Sequence, residues 1–291
     1  MTSQEKSKRR RKGEMEAKDR IIVALDVDRL EKALELVNEI HNYCGYFKVG
    51  LELLTSEGAP RVISAIQKAG GKIFFDGKFK DIPNTVAAAS RAVTKLGVDM
   101  FNVHCLGGEA MMKAAVKVAE EISEIQRRRR PIILGVTLLT SLDYSDLVEM
   151  GIYDELNIAD PEELAQIKKE RIERLVIKLV LLAQESGLDG VICSPQEIRI
   201  IRQWCQPEFL IATPDVRPVW AAIGDQKRVM TPGEAILAGA DYLVIDRPIT
   251  QPPAEIGGPV AAAKAIIKEI TDALKIKDVP PEIMHDDIIN A

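Results

Sequence analysis

Asp76, Lys78 and Asp81 fall within six residues in the segment Phe75-Asp76-Gly77-Lys78-Phe79-Lys80-Asp81-Ile82-Pro83-Asn84-Thr85. A lysine set among carboxylates keeps its proton, because each neighbouring negative charge favours the ammonium form. Such a group suits general-acid chemistry, the delivery of a proton to a reacting atom. It does not suit Schiff-base formation, which wants a desolvated, neutral amine. The apolar Ile73, Phe74 and Phe75 read as the end of a buried strand over 72–76. If the backbone stays extended, Asp76 and Lys78 project to the same side, since side chains alternate with period two. Pro83 cannot donate to a sheet and disfavours a helical Ile82, so the strand should leave into a loop there.

The elements that must hold these charges alternate along the whole chain. Ile21 to Leu25 is a short continuous apolar run, the pattern of a strand buried on both faces. Helical spacing follows over 29–41, then a strand over 46–49, a helix over 58–69, the strand 72–76 and a helix over 84–96. The pattern continues as strand 98–103, helix 108–126 and strand 131–137, then a polar, acidic stretch at 142–163 and a helix over 161–186. Strand 190–193, helix 195–204, strand 209–212, helix 231–238, strand 242–245 and a final helix over 253–274 complete it. Eight successive strand–helix units with strands too apolar to face solvent predict a single-domain α/β protein, a (β/α)8 barrel. The barrel should occupy 20–275, after a polar 1–19 extension expected to be disordered and before a tail at 276–291.

In such a barrel the carboxyl ends of the strands share one mouth. Strand one ends at Asp26, strand two carries Lys48, and strand three delivers Asp76 and Lys78. The strand-five loop brings Thr140 and Ser141, strand seven Thr213 and Arg217, and strand eight Arg247. Arginines after strands seven and eight lie where barrels of this kind commonly hold a phosphate.

Composition narrows the alternatives. A net charge of −5 and 46% hydrophobic residues argue for a large core and against a nucleic-acid-binding domain. The basic run Lys8 to Lys12 reads as a solvated arm, and Arg127 to Arg130 as a solvated corner. No run of eighteen apolar residues suggests a membrane span, and the N-terminus lacks the apolar segment of a secretion signal. Cys44, Cys105, Cys193 and Cys205 are scattered, which suits reduced thiols in a cytoplasm. His41, His104 and His285 show no ligand spacing, so no metal site is expected. The stretch 175–182 is apolar except for Lys178, either because the 142–163 insertion covers it or because it forms a subunit contact.

Several segments together resemble the orotidine 5′-phosphate decarboxylase family. They are Ile22-Val23-Ala24-Leu25-Asp26, Phe47-Lys48-Val49-Gly50, Phe75 to Thr85, Thr137-Leu138-Leu139-Thr140-Ser141, Gly190 to Ser194, Gly224-Asp225-Gln226-Lys227-Arg228 and Arg247-Pro248-Ile249-Thr250. The Asp76-x-Lys78-x-x-Asp81 core is shared with sugar-phosphate synthases and decarboxylases that use Mg2+. The Asp81 to Thr85 text and the Gly224 to Arg228 text single out the orotidylate enzymes. The resemblance implies decarboxylation of orotidine 5′-monophosphate to UMP, without metal or organic cofactor, in a cytoplasmic homodimer. Lys48, Asp76, Lys78 and Asp81 would form the charged tetrad, with Lys78 protonating C6 of the pyrimidine and Asp81 entering from the partner subunit. Asp26 and Lys48 would address the ribose hydroxyls, Ile82 and Thr85 the neighbouring site, and Thr140 the pyrimidine edge. Arg217, Gln226 and Arg247 would hold the phosphate.

Two positions depart from that family. It reads Thr-Pro-Gly where this chain has Thr213-Pro214-Asp215, and Gly-Arg-Pro where it has Asp246-Arg247-Pro248. Aspartate costs about 1–2 kcal/mol wherever a left-handed backbone is needed. Two unit charges about 4 Å apart repel by roughly 4 kcal/mol at an effective dielectric near 20. Both aspartates are therefore expected to weaken phosphate binding. The apolar segment Pro218 to Ile223 reads as a hydrophobic lid over that phosphate or as a packed loop. Other readings are a related sugar-phosphate enzyme, or an impaired or engineered chain of this fold used as a scaffold.

Overall fold

The structure, a computed structural model, describes residues 15–221 and 230–277. Eight parallel strands are hydrogen-bonded in chain order, β1 through β8, as a closed barrel. They are β1 Ile21–Ala24, β2 Tyr46–Val49, β3 Ile73–Phe79, β4 Met100–His104, β5 Ile132–Val136, β6 Gly190–Ile192, β7 Leu210–Thr213 and β8 Tyr242–Ile245. Every residue of β1 and β8 is buried, as a strand must be when its two faces meet a barrel interior and a ring of helices. Among the described residues no helix is long and apolar enough to cross a membrane.

The chain packs as two compact units, residues up to Phe74 with those from Thr213 onward, and residues 75–212. In the first, β1 pairs with β2 (Val23 opposite Phe47) and with β8 (Ile22 opposite Val244). Helices α1 Leu30–Ile40, α2 Leu51–Glu57 and α3 Ala59–Lys68 cover this part. Helix α1 buries Leu30, Ala33, Val37 and Ile40, the spacing of one helical face. Helix α2 lies in what the sequence reads as a loop, because its seven residues are too few to show a helical period.

In the second unit β4, β5, β6 and β7 pair consecutively, with Asn102 opposite Leu134 and Val191 opposite Ile211. Helix α4 Pro83–Lys95 begins on its proline, which needs no N–H at that position. Helix α5 Glu109–Gln126 follows β4. Helix α6 Tyr144–Glu149 lies within the acidic insertion and starts at a capping box, where Asp143 accepts from Ser145 and Asp146 N–H and the Asp146 carboxylate accepts the Asp143 N–H. Helix α7 Pro161–Glu185 is the longest.

The insertion meets α7 at Lys168 and Arg171. Tyr144 and Tyr153 stack with ring centroids 5.4 Å apart. Arg171 donates to the Tyr144 hydroxyl at 2.9 Å, and the Tyr153 hydroxyl donates to the Arg171 carbonyl at 2.8 Å. Further along, Val176, Leu179, Val180 and Ala183 are buried, while Leu175, Ile177, Leu181 and Leu182 are half-buried. The corner at 127–130 also differs from expectation. Arg127 to Arg129 are exposed, but Arg130 donates to the buried Asp189 carboxylate at 2.8 Å. Asp189 in turn accepts the Ile133 N–H, so Arg130 is tied to the start of β5.

Helix α8 Ile198–Trp204 precedes β7, and α9 Pro232–Ala238, the one-turn α10 Arg247–Thr250 and α11 Pro259–Lys277 follow it. The four cysteines are free thiols; Cys44, Cys105 and Cys193 are buried, and burial pushes Cys44 and Cys105 up to about 12.

Candidate active site

Strand β3 continues three residues beyond the expected stop at Asp76. It does so by passing through Lys78 at φ 46°, in the left-handed region. A non-glycine residue there costs about 1–2 kcal/mol, so the surroundings must hold it in place. Gly77 fits between two rings: a Cβ there would meet the Phe75 ring at 2.5 Å and the Phe79 ring at 3.0 Å. Despite the kink, Lys78 Nζ reaches Asp76 Oδ1 at 2.7 Å. The carboxylate is 6% exposed, while the lysine side chain keeps about a third of its surface open. A charge-assisted contact between a buried acceptor and an accessible donor leaves the ammonium free to address a ligand with its other protons.

Asn102, wholly buried in β4, binds both members of the motif. Its Nδ2 donates to Asp76 Oδ1 at 2.7 Å, and its Oδ1 accepts the Lys78 backbone N–H at 2.8 Å. Two residues further along β4, His104 faces the same charges. Its imidazole is held below its ordinary pKa, first by burial and then by Lys80 and Lys78, with Asp76 opposing. Its buried Nδ1 has no hydrogen-bond partner among the described residues. Asp81, Ile82 and Thr85 stand exposed at the start of α4, and the Asp81 carboxylate accepts the Ile82 N–H at 2.6 Å. Thr140 is exposed after β5.

A second group forms in the unit that carries β1, β2 and β8. Lys48 Nζ donates to Asp26 Oδ1 at 2.9 Å, with the lysine side chain largely shielded and the aspartate half-exposed. Gly50 keeps this pair possible, since a Cβ there would lie 3.2 Å from both Asp26 Oδ1 and Lys48 Nζ. Asp246 directly follows β8, beside them. Its carboxyl is raised above the usual carboxylate range, first by burial and then by Asp26, against the opposing pull of Arg247 and Lys48. Arg247 Nε lies 3.9 Å from Asp246 Oδ2, a loose ion pair, and the Thr250 hydroxyl donates to Oδ1 at 3.4 Å.

Arg217 is buried, and its N–H donates to the Met230 carbonyl at 3.0 Å. Asp215 adopts φ 60°, so the left-handed penalty expected there applies. At Asp246 it does not: φ is −109°, and the cost of that aspartate is electrostatic. Gln226 lies outside the described residues, as do Ala222 and Ile223 of the apolar segment. Of the rest of that segment, Pro218 is buried and Val219 is 89% exposed.

The model of the orotidine 5′-phosphate decarboxylase / HUMPS family matches residues 19–266. The chain belongs to that family. It is 50% identical over 257 residues to orotidine 5′-phosphate decarboxylase of Moorella thermoacetica, covering 88% of this chain and 94% of that one. The Trichlorobacter lovleyi protein of the same name is 47% identical over 256 residues, 88% of this chain and 96% of its own length. Among solved structures, orotidine 5′-phosphate decarboxylase from Lactobacillus acidophilus superposes with a TM-score of 0.67 at 34% identity, covering 86% of this chain and 98% of that one. An uncharacterized conserved protein from Geobacillus kaustophilus superposes with a TM-score of 0.66 at 32% identity, covering 86% and 99%.

Two residues beside the Asp76–Lys78 pair escape the sequence reading. Both Asn102 and His104 lie in β4, whose end carries no acid or lysine and so attracts no attention. The available signal was a single asparagine inside the apolar run Met100-Phe101-Asn102-Val103, since a buried amide needs partners.

Proposed function

We propose that this chain decarboxylates orotidine 5′-monophosphate to UMP, with Lys78 as the proton donor. The observation that carries the reading is the Lys78–Asp76 pair at the end of β3, an accessible ammonium held at 2.7 Å by a buried carboxylate. Loss of CO2 leaves an electron pair on C6 of the pyrimidine, and one proton from Lys78 completes UMP. Asp76 lies beside the departing carboxylate in this reading, and its negative charge favours the protonated lysine. Lys48 and Asp26 address the ribose hydroxyls, Thr140 the pyrimidine edge, and Arg217, Gln226 and Arg247 the phosphate.

Asp81 completes the tetrad from the partner subunit of a homodimer, with Ile82 and Thr85 beside it. The exposure of all three residues at the start of α4 supports that assignment, since a residue serving a neighbouring subunit must be reachable from outside its own. The enzyme acts in the cytoplasm, as the four free thiols suggest, and its reaction uses no metal or organic cofactor. Asp215 and Asp246 weaken its hold on the phosphate. Remote binding energy of this kind also assembles the reacting geometry, so turnover suffers along with affinity.

The deciding experiment follows orotidylate by ultraviolet absorbance on addition of the protein. Conversion to UMP with release of one CO2 is expected; unchanged absorbance at millimolar substrate and high protein concentration rejects the assignment. Calorimetric titration with UMP tests the weakened phosphate site separately, and micromolar or tighter binding overturns it.

A further inference from the structure

We propose that Asn102 is a positioning residue that sets the Asp76–Lys78 pair for proton transfer; the inference rests on the decarboxylase reading above. One buried amide meets both halves of the motif with opposite polarity. The NH2 group donates to Asp76 Oδ1 at 2.7 Å, the same oxygen that accepts Lys78 Nζ at 2.7 Å. The amide oxygen accepts the backbone N–H of Lys78, the residue whose φ of 46° marks it as strained. Asn102 therefore performs two tasks on this segment. It pins the left-handed turn that brings the lysine side chain back toward Asp76, and it fixes which carboxylate oxygen faces the ammonium.

Its own rigidity comes from β4. Asn102 is 0% exposed and sits opposite Leu134 of β5 in the ladder, with Phe101 and Val103 buried on either side. A buried amide with good partners on both ends is costly to move. The isosteric aspartate would retain the acceptor for Lys78 N–H but place a second carboxylate against Asp76. Other titrating groups around the pair are Lys78 itself, Lys80 and His104.

Asn102→Asp and Asn102→Ala should each lower kcat by about 10- to 100-fold, the loss of one hydrogen bond to a charged group. KM should move by only a few-fold. In Asn102→Asp the acidic limb of the kcat/KM profile should shift to higher pH, because Asp76 loses a donor and gains a like charge. A residue that only supports the fold would lower the melting temperature without moving that limb. An independent readout follows Lys78 by 13Cε resonance with pH: its titration should move upward in Asn102→Asp, which gives the ammonium a second carboxylate. Amide exchange of Lys78 N–H in the unsubstituted protein should be slow. A folded Asn102→Asp with ordinary kcat, limb and lysine titration overturns the proposal, and so does fast exchange of that amide. If the unsubstituted protein leaves orotidylate unchanged, the decarboxylase reading fails, while the lysine titration and amide exchange still decide the role of Asn102.

Discussion

Lys78 carries the strongest single-residue expectations, because it combines strain, accessibility and a buried counter-ion. Replacing it by alanine should lower kcat on orotidylate by at least about 100-fold, the ordinary contribution of a positioned general acid. The melting temperature should hardly fall, since a φ of 46° suits alanine no worse than lysine and the lost pair is partly exposed. Asp246 gives a prediction of opposite sense. Its carboxyl is raised in the folded chain, chiefly by burial and then by Asp26. The folded state thus binds a proton more readily than the unfolded one, and this residue makes stability fall as pH rises from the usual carboxylate range toward the raised value. Asp246→Asn should therefore raise the melting temperature at pH 7, on the order of 1 °C given its exposure. The difference should vanish when both states are protonated. Combining Asp215→Gly with Asp246→Gly should raise kcat/KM on orotidylate by about 10-fold or more, since one change relieves a left-handed aspartate and the other removes a carboxylate beside Arg247. An unchanged kcat/KM in that double variant would show that both aspartates are tolerated.

Elements explain which parts of the chain could be read in advance. Strands β1, β2 and β8 match the sequence reading within a residue, because continuous apolar runs buried on both faces leave little freedom in length. Strand β3 does not, since Asp76, Gly77 and Lys78 interrupt its apolar run before Phe79 and nothing local announces a strand that survives a left-handed residue. Short elements were equally hidden: α2, α6 and α10 span seven, six and four residues, below two full periods of a helix. The apolar stretch of α7 divides into a buried face and a half-buried one. Leu179→Ala on the buried face should destabilise the protein by about 2–4 kcal/mol, read as a lower denaturant midpoint with unchanged slope.

Across the whole molecule the proposed homodimer yields a sharp test. Lys78→Ala and Asp81→Ala variants, each inactive alone, should regain about a quarter of full activity when mixed and exchanged, because half the dimers are mixed and each of those holds one intact site. No recovery after exchange would place Asp81 in its own subunit's site, or outside catalysis. The eight-unit barrel, the strand-end charges Asp26, Lys48, Asp76 and Arg247, and the family itself were all legible from residue order. They rest on local periodicity, on the position of charges relative to apolar runs, and on collinear motifs. Tertiary structure alone revealed the clamp of Asn102 on Lys78, the company of His104, the tie of Arg130 to Asp189, and the different costs of Asp215 and Asp246. The reason is physical: those features depend on side chains from different strands meeting at hydrogen-bond distance, and on backbone angles that distant packing imposes. Neither leaves a periodic trace along the chain.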